Sequence, residues 1–136
     1  MSRAPVAIVA ALIRYAEGRV LLVRKAGTLA FMQPGGKREA GEGDLAALDR
    51  ELFEELGCRL VAGSASPVGD FRAAAANEPG REVAAAVYAV TVEGPVQAQA
   101  EIAEILWVDP HHPPDVDLAP LTRDHILPFS RLRAAG

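Results

Sequence analysis

The 136-residue chain has one cysteine, no excess of positive charge and no apolar run long enough to cross a membrane. A single thiol, Cys58, excludes an internal disulfide, and nothing in the cysteine count points to secretion. The formal net charge is -4 and the pI about 5.3. That balance argues against a protein whose main task is to grip nucleic-acid phosphates. The apolar run Val6–Ile13 is short of the roughly 20 residues a bilayer needs. Arg14, Glu17, Arg19, Arg24 and Lys25 follow at once, so a strand pair is a better reading than a targeting segment. Neither nucleic acid nor membrane is an expected partner, and the cytoplasm is the expected compartment. Internal repeats and low-complexity linkers are also missing, so one domain over 1–136 is expected.

What is present is ordinary for a globular chain: 50% hydrophobic and 24% charged residues, enough for a real core. Val6–Ile13 and Arg19–Val23 predict two strands around a turn at Tyr15–Gly18. Residues 26–43 hold Gly27, Gly35, Gly36, Gly41 and Gly43, and predict an irregular loop. From Asp44 to Leu56 a helical period appears. Leu45, Leu48, Leu52 and Leu56 fall on one side, Gly43 or Asp44 stands at the N-cap, and Gly57 is a natural stop. Asp49 falls near the edge of the leucine side. Further strands are expected at Arg59–Ala62, Val68–Ala75, Glu82–Val92 and Ile105–Val108, with a turn at Asn77–Gly80. Asp109–Pro120 reads as a proline-rich loop, and Leu121–Leu132 as a helix perturbed by Pro128.

The helix is also acidic. Glu51, Glu54 and Glu55 stand at i, i+3 and i+4, which brings their carboxylates to one patch. Charged helix faces are usually just solvated. Here a glycine pair, Gly35-Gly36, precedes the helix and lets backbone approach a ligand closely. Glu42 adds a further carboxylate, and Arg50 could hold one in place. Such oxygen-rich clusters suit Mg²⁺ or Mn²⁺. They bind a phosphate well only when cations bridge the two.

Residues 36–58 read GKREAGEGDLAALDRELFEELGC. This resembles the box of the Nudix hydrolase family, G-x5-E-x7-R-E-U-x-E-E-x-G-U, with U a bulky aliphatic residue. Gly36, Glu42, Arg50, Glu51, Glu54, Glu55 and Gly57 fill the fixed positions and Leu52 the first U; Cys58 departs from the pattern at the second. Chance agreement at all fixed positions is on the order of once in 10⁸ placements. Pro34-Gly35-Gly36-Lys37 matches the run that often opens the box, and the surroundings are most similar to the broad MutT-like group.

The resemblance implies an α/β fold, an α/β/α sandwich around a mixed β-sheet. It implies a pyrophosphohydrolase that cleaves a phosphoanhydride in a nucleoside diphosphate linked to another group, with Mg²⁺ (or Mn²⁺) as cofactor. Glu51, Glu54 and Glu55 would be metal ligands, with the backbone carbonyl of Gly36 as another. Arg50 would orient a glutamate, and Glu42 would steady the loop or support the metal shell. The proton acceptor would be a box glutamate, or Glu101 in the loop-like run Gln97–Glu101, or Glu104. Lys37 and Arg24 are expected to contact substrate phosphate. A small nucleotide-type substrate is the expected partner, and a homodimer is a further implication. Phe31 and Tyr88 are read as core or pocket wall, and His111 and His112 as loop residues. Cys58 lacks an activating partner. The alternative function is a Nudix-fold ligand sensor without catalysis, but the intact box glutamates argue against it. An isopentenyl-diphosphate type isomerase would call for more cysteine than Cys58.

Overall fold

The computed structural model describes residues 4–134. Strand β1 (Val6–Ile13) is apolar on both faces, as a strand buried on both sides requires. It pairs antiparallel with β4 (Gly35–Gly36) and parallel with β7 (Glu82–Val90), which carries antiparallel β6 (Ser66–Ala74) at the edge. A second sheet sets β2 (Val20–Lys25) between β3 (Phe31–Met32) and β9 (Ile102–Val108), all antiparallel. An Arg14–Val20 bridge links β1 to β2 across the turn at Ala16–Gly18. Strands β5 (Arg59–Leu60) and β8 (Val92–Glu93) form a small separate pair.

Successive side chains of a strand point to opposite faces. Val9, Ala11 and Ile13 therefore join Leu21, Val23, Val90 and Ile102 under helix α1 (Asp44–Leu56). Ala10 and Leu12 turn the other way. They pack with Val20, Leu22, Ala85 and Val87 against Leu121, Ile126 and Leu127 of the C-terminal segment. The result is the expected α/β/α sandwich around a mixed sheet. In α1, Ala47, Leu48, Leu52 and Leu56 are fully buried. Each leucine contributes about 2 kcal/mol by leaving water. A like-charge pair at i,i+4 costs only about 0.2–0.5 kcal/mol, so burial holds the acidic helix in place.

Several boundaries differ from the sequence reading. Leu45 is 42% exposed: it lies in the first turn of α1 and is not among the side chains packed beneath the helix. The glycine-rich stretch 26–43 contains the short strands β3 and β4. The strand expected at Glu82–Val92 breaks at Thr91. Strand β9 begins at Ile102 rather than 105, because residues 102–104 continue pairing with Lys25 and Arg24. The final helix is not uniform. A π turn, Thr122–Ile126, precedes helix α2 (Leu127–Ala134). The widened turn stands directly before Pro128, whose ring would crowd the carbonyl four residues back in a regular helix.

Candidate active site

The loop before α1 is held by one side chain. Arg50 donates from Nε and Nη2 to the two oxygens of Glu42, both at 2.8 Å. Its Nη1 donates to Glu51 at 2.9 Å and its Nη2 also to the Lys37 carbonyl at 3.0 Å. Glu42 accepts the Glu39 amide as well, at 2.7 Å. The guanidinium and that amide hold the Glu42 carboxyl down at about 2. Arg38 and Tyr88 donate to Asp44, tying the other end of the loop to β7.

The glycine pair makes room for the glutamates. A Cβ on Gly35 would run into the Val9 carbonyl of β1. Without one, Gly35 lies against β1 and its N–H reaches Glu55 Oε1 at 3.1 Å. A Cβ on Gly36 would meet the Glu51 carboxyl at 2.6–2.8 Å. The Glu51 head group thus rests on bare backbone.

The three glutamates share one edge of α1 but not one environment. At about 100° per residue, Glu55 points most nearly with the leucines and Glu54 most outward. Glu55 is 8% exposed, while the Glu54 side chain is 54% exposed and lies 3.6 Å from Arg50. The i, i+3, i+4 spacing brings all three to one patch, but Glu55 enters the buried arc. Burial, opposed by the Gly35 amide, pushes its carboxyl up to about 8, and the charges of Glu51 and Glu101 add to the rise. Burial also raises Glu51, opposed by Arg50.

Among the described residues, no three carboxylates, imidazoles or thiolates already converge at ligand distance. Glu51 turns to Arg50 and Glu55 to the Gly35 amide, so convergence needs side-chain rotation. The donor set nevertheless fits a hard divalent cation. Two adjacent carboxyls are desolvated and raised, and all their donor atoms are oxygen. A cation between them would relieve both.

The remaining predicted residues separate. Glu101 stands just before β9, close enough for its charge to raise Glu55. The run it occupies is loop-like, as expected, but its backbone is anchored: Glu101's carbonyl accepts the Ala26 amide at 2.8 Å. Glu104 lies within β9 and accepts two hydrogen bonds from Arg24, at 3.0 and 3.1 Å. Arg24 also donates to the Thr28 carbonyl, so three of its five N–H groups are engaged. Lys25 alternates to the other face and lowers both Glu51 and Glu55 by its charge. The sequence reading passed over Lys25, although the inward turn of Leu21 and Val23 toward α1 predicts the same for residue 25. Lys37 is exposed. Phe31 is in the core, and Tyr88 packs beside the α1 core with its hydroxyl on Asp44. His111 and His112 lie in an exposed loop closed on Asp109. Cys58 is buried and its thiol is pushed up by burial, which suits a core residue and not a nucleophile.

The family model described as "NUDIX domain" matches residues 4–128. The Escherichia coli ORF135 protein, a solution structure, is 29% identical with a TM-score of 0.70, covering 96% of this chain and 91% of that one. A Chromobacterium violaceum protein assigned to the nudix hydrolase family is also 29% identical, with a TM-score of 0.74 and coverage of 98% and 81%. A MutT NUDIX hydrolase from Burkholderia pseudomallei shares the fold at 23% identity, with a TM-score of 0.74 and coverage of 94% and 96%. No curated protein sequence matches significantly. The fold and the acidic box define the class: a hydrolase acting on phosphoanhydrides. The chain belongs to the Nudix family, whose members act on small nucleotide-type molecules as pyrophosphohydrolases and generally use a divalent metal.

Proposed function

We propose that this chain is a Mg²⁺-dependent pyrophosphohydrolase of a nucleoside diphosphate linked to another group, with nucleoside triphosphates as the first substrates to try. The observation that carries the reading is the buried Glu55 carboxyl beside Glu51, both raised by desolvation at the foot of a glycine loop. Glu51, Glu54, Glu55 and the Gly36 carbonyl would hold the cation. Bound there, it supplies positive charge to the phosphate oxygens and acidifies water.

The chain's own residues divide the rest of the task. Arg50 keeps Glu51 oriented and the loop closed. Lys25 offers a cation on the same face, and Lys37 a second one at the loop. In the reaction, a water oxygen attacks phosphorus while the bridging P–O bond breaks, and the leaving phosphate takes the bond electrons. Glu101 accepts the water proton. Glu104 is the weaker choice, because it is paired to Arg24 on the strand.

The test is phosphate or pyrophosphate release from nucleoside triphosphates (8-oxo-dGTP included), ADP-ribose, NADH, coenzyme A and diadenosine polyphosphates, with Mg²⁺ and with EDTA. EDTA-sensitive release from one of them is the expected result. Silence across the whole panel from folded protein would overturn the reading.

A further inference from the structure

We propose that Gln99 is a positioning residue that bolts the turn carrying Glu101 onto the C-terminal end of α1. The proposal rests on the reading of Glu101 as proton acceptor.

The last carbonyls of a helix have no partners within it. In α1 the Phe53 carbonyl takes the Gly57 amide at 3.0 Å, and the end is otherwise met from forty residues away. Gln99 Nε2 donates to the carbonyls of Phe53 at 2.8 Å and Glu54 at 3.3 Å. The Gln99 amide donates to the Glu55 carbonyl and the Gln97 amide to that of Leu56, both at 3.1 Å. Glu55 therefore serves twice, with its carboxyl at the site and its carbonyl on the clamp. Gly57 closes the helix in the left-handed region, φ 77°, and a Cβ there would meet Gln99 Oε1 at 2.9 Å. The missing side chain at 57 is the space the Gln99 amide fills.

From this anchor the chain turns tightly. The Ile102 amide donates to the Gln99 carbonyl at 3.0 Å, and Ala100 is held at φ 55°, a left-handed conformation that alanine disfavours. The far side is fixed where the Ala26 amide meets the Glu101 carbonyl, one residue beyond Lys25. Glu101 thus sits between two anchors, the end of α1 and the end of β2. Its backbone is held on both sides, and its side chain is exposed. A small displacement of a reacting group costs rate steeply, so loosening the first anchor should act through Glu101.

The experiment compares Gln99→Met, which keeps the length and removes the donor, with Glu101→Gln and the double variant. Turnover is measured on whichever panel nucleotide the wild type hydrolyses fastest, and amide exchange on all four proteins. Gln99→Met is expected to lower kcat about tenfold with KM unchanged, and to change it less than about twofold in the Glu101→Gln background. Exchange of the Ile102 and Ala26 amides should quicken about tenfold. An equal fractional loss in both backgrounds, an unchanged kcat in the single variant, or unaltered exchange would each overturn the proposal. Failure of the underlying reading looks different: Glu101→Gln would keep wild-type kcat, or the wild type would hydrolyse nothing while amide exchange alone still decided the clamp.

Discussion

Strand β1 sends Val9, Ala11 and Ile13 to one face and Ala10 and Leu12 to the other, and the two faces end in different chemistry. Under α1 the buried arc includes a carboxyl, Glu55, beside partly buried Glu51. Under the C-terminal segment the buried polar groups are neutral. Thr122 donates to Gln33 at 2.6 Å, and Ser130 to the Ile126 carbonyl at 2.8 Å. Neutral pairs of this kind tie elements together and contribute about 1 kcal/mol each. A carboxyl in the same surroundings is costly unless a counter-charge arrives. The first face therefore lacks a counter-charge, whereas what the second leaves unpartnered is a neutral donor, Gln33 Nε2.

The comparison can be broken most directly at Glu55. Glu55→Gln should cut turnover by about 10³-fold or more while metal-free thermal stability holds or rises. Glu54→Gln should lose turnover by orders of magnitude too. Full activity in both variants would make the acidic face a structural one. Next in size is the pH dependence. The folded Glu55 carboxyl is raised from 4.5 to about 8, so metal-free protein binds an extra proton between those values. Its stabilising contribution is complete below about pH 4.5 and is lost as the pH rises through about 8. Melting curves of metal-free protein should show that decline, and Glu55→Gln should flatten it. The opposite slope would mean that Glu55 is ionised when the protein is alone.

Arg50→Lys tests the support of that face. A lysine cannot span both oxygens of Glu42 and still reach Glu51 and the Lys37 carbonyl. A drop in kcat of about 10- to 100-fold is expected, with a lower melting temperature. Unchanged kinetics would release Glu51 from its dependence on Arg50. The smallest effect belongs to the second face. Thr122→Val should lower unfolding free energy by about 1–2 kcal/mol in urea titrations and leave kcat within about twofold. A large kcat loss there would erase the division between the faces.

The sequence carried the acidic helix well, because its leucines and glutamates follow a period that local geometry sets. The general layering came with the resemblance of the box to the Nudix family, and the unbroken apolar run Val6–Ile13, buried on both sides, agrees with it. Burial that depends on where a neighbour ends was not readable. Leu45 has the right helical phase and still lies outside the packed side, while Glu55 has the phase of a core residue and the identity of a surface one. Arg24 and Glu104 are 80 residues apart, so nothing local reveals that they spend their charges on each other. The start of β9 was hidden because Ala103 and Glu104 carry no strand signal of their own. Pro128 announced a perturbed helix but not the form it takes, a widened turn ahead of the proline.

The contact between Gly36 and the Glu51 carboxyl bears on how this gene tolerates change. No amino-acid change at 36 leaves Glu51 where it is, since even alanine adds an atom that the flexible Glu51 head group must shift to clear. A population of randomly altered sequences sorted for activity should therefore be thinned at position 36, although that position contributes no side chain at all.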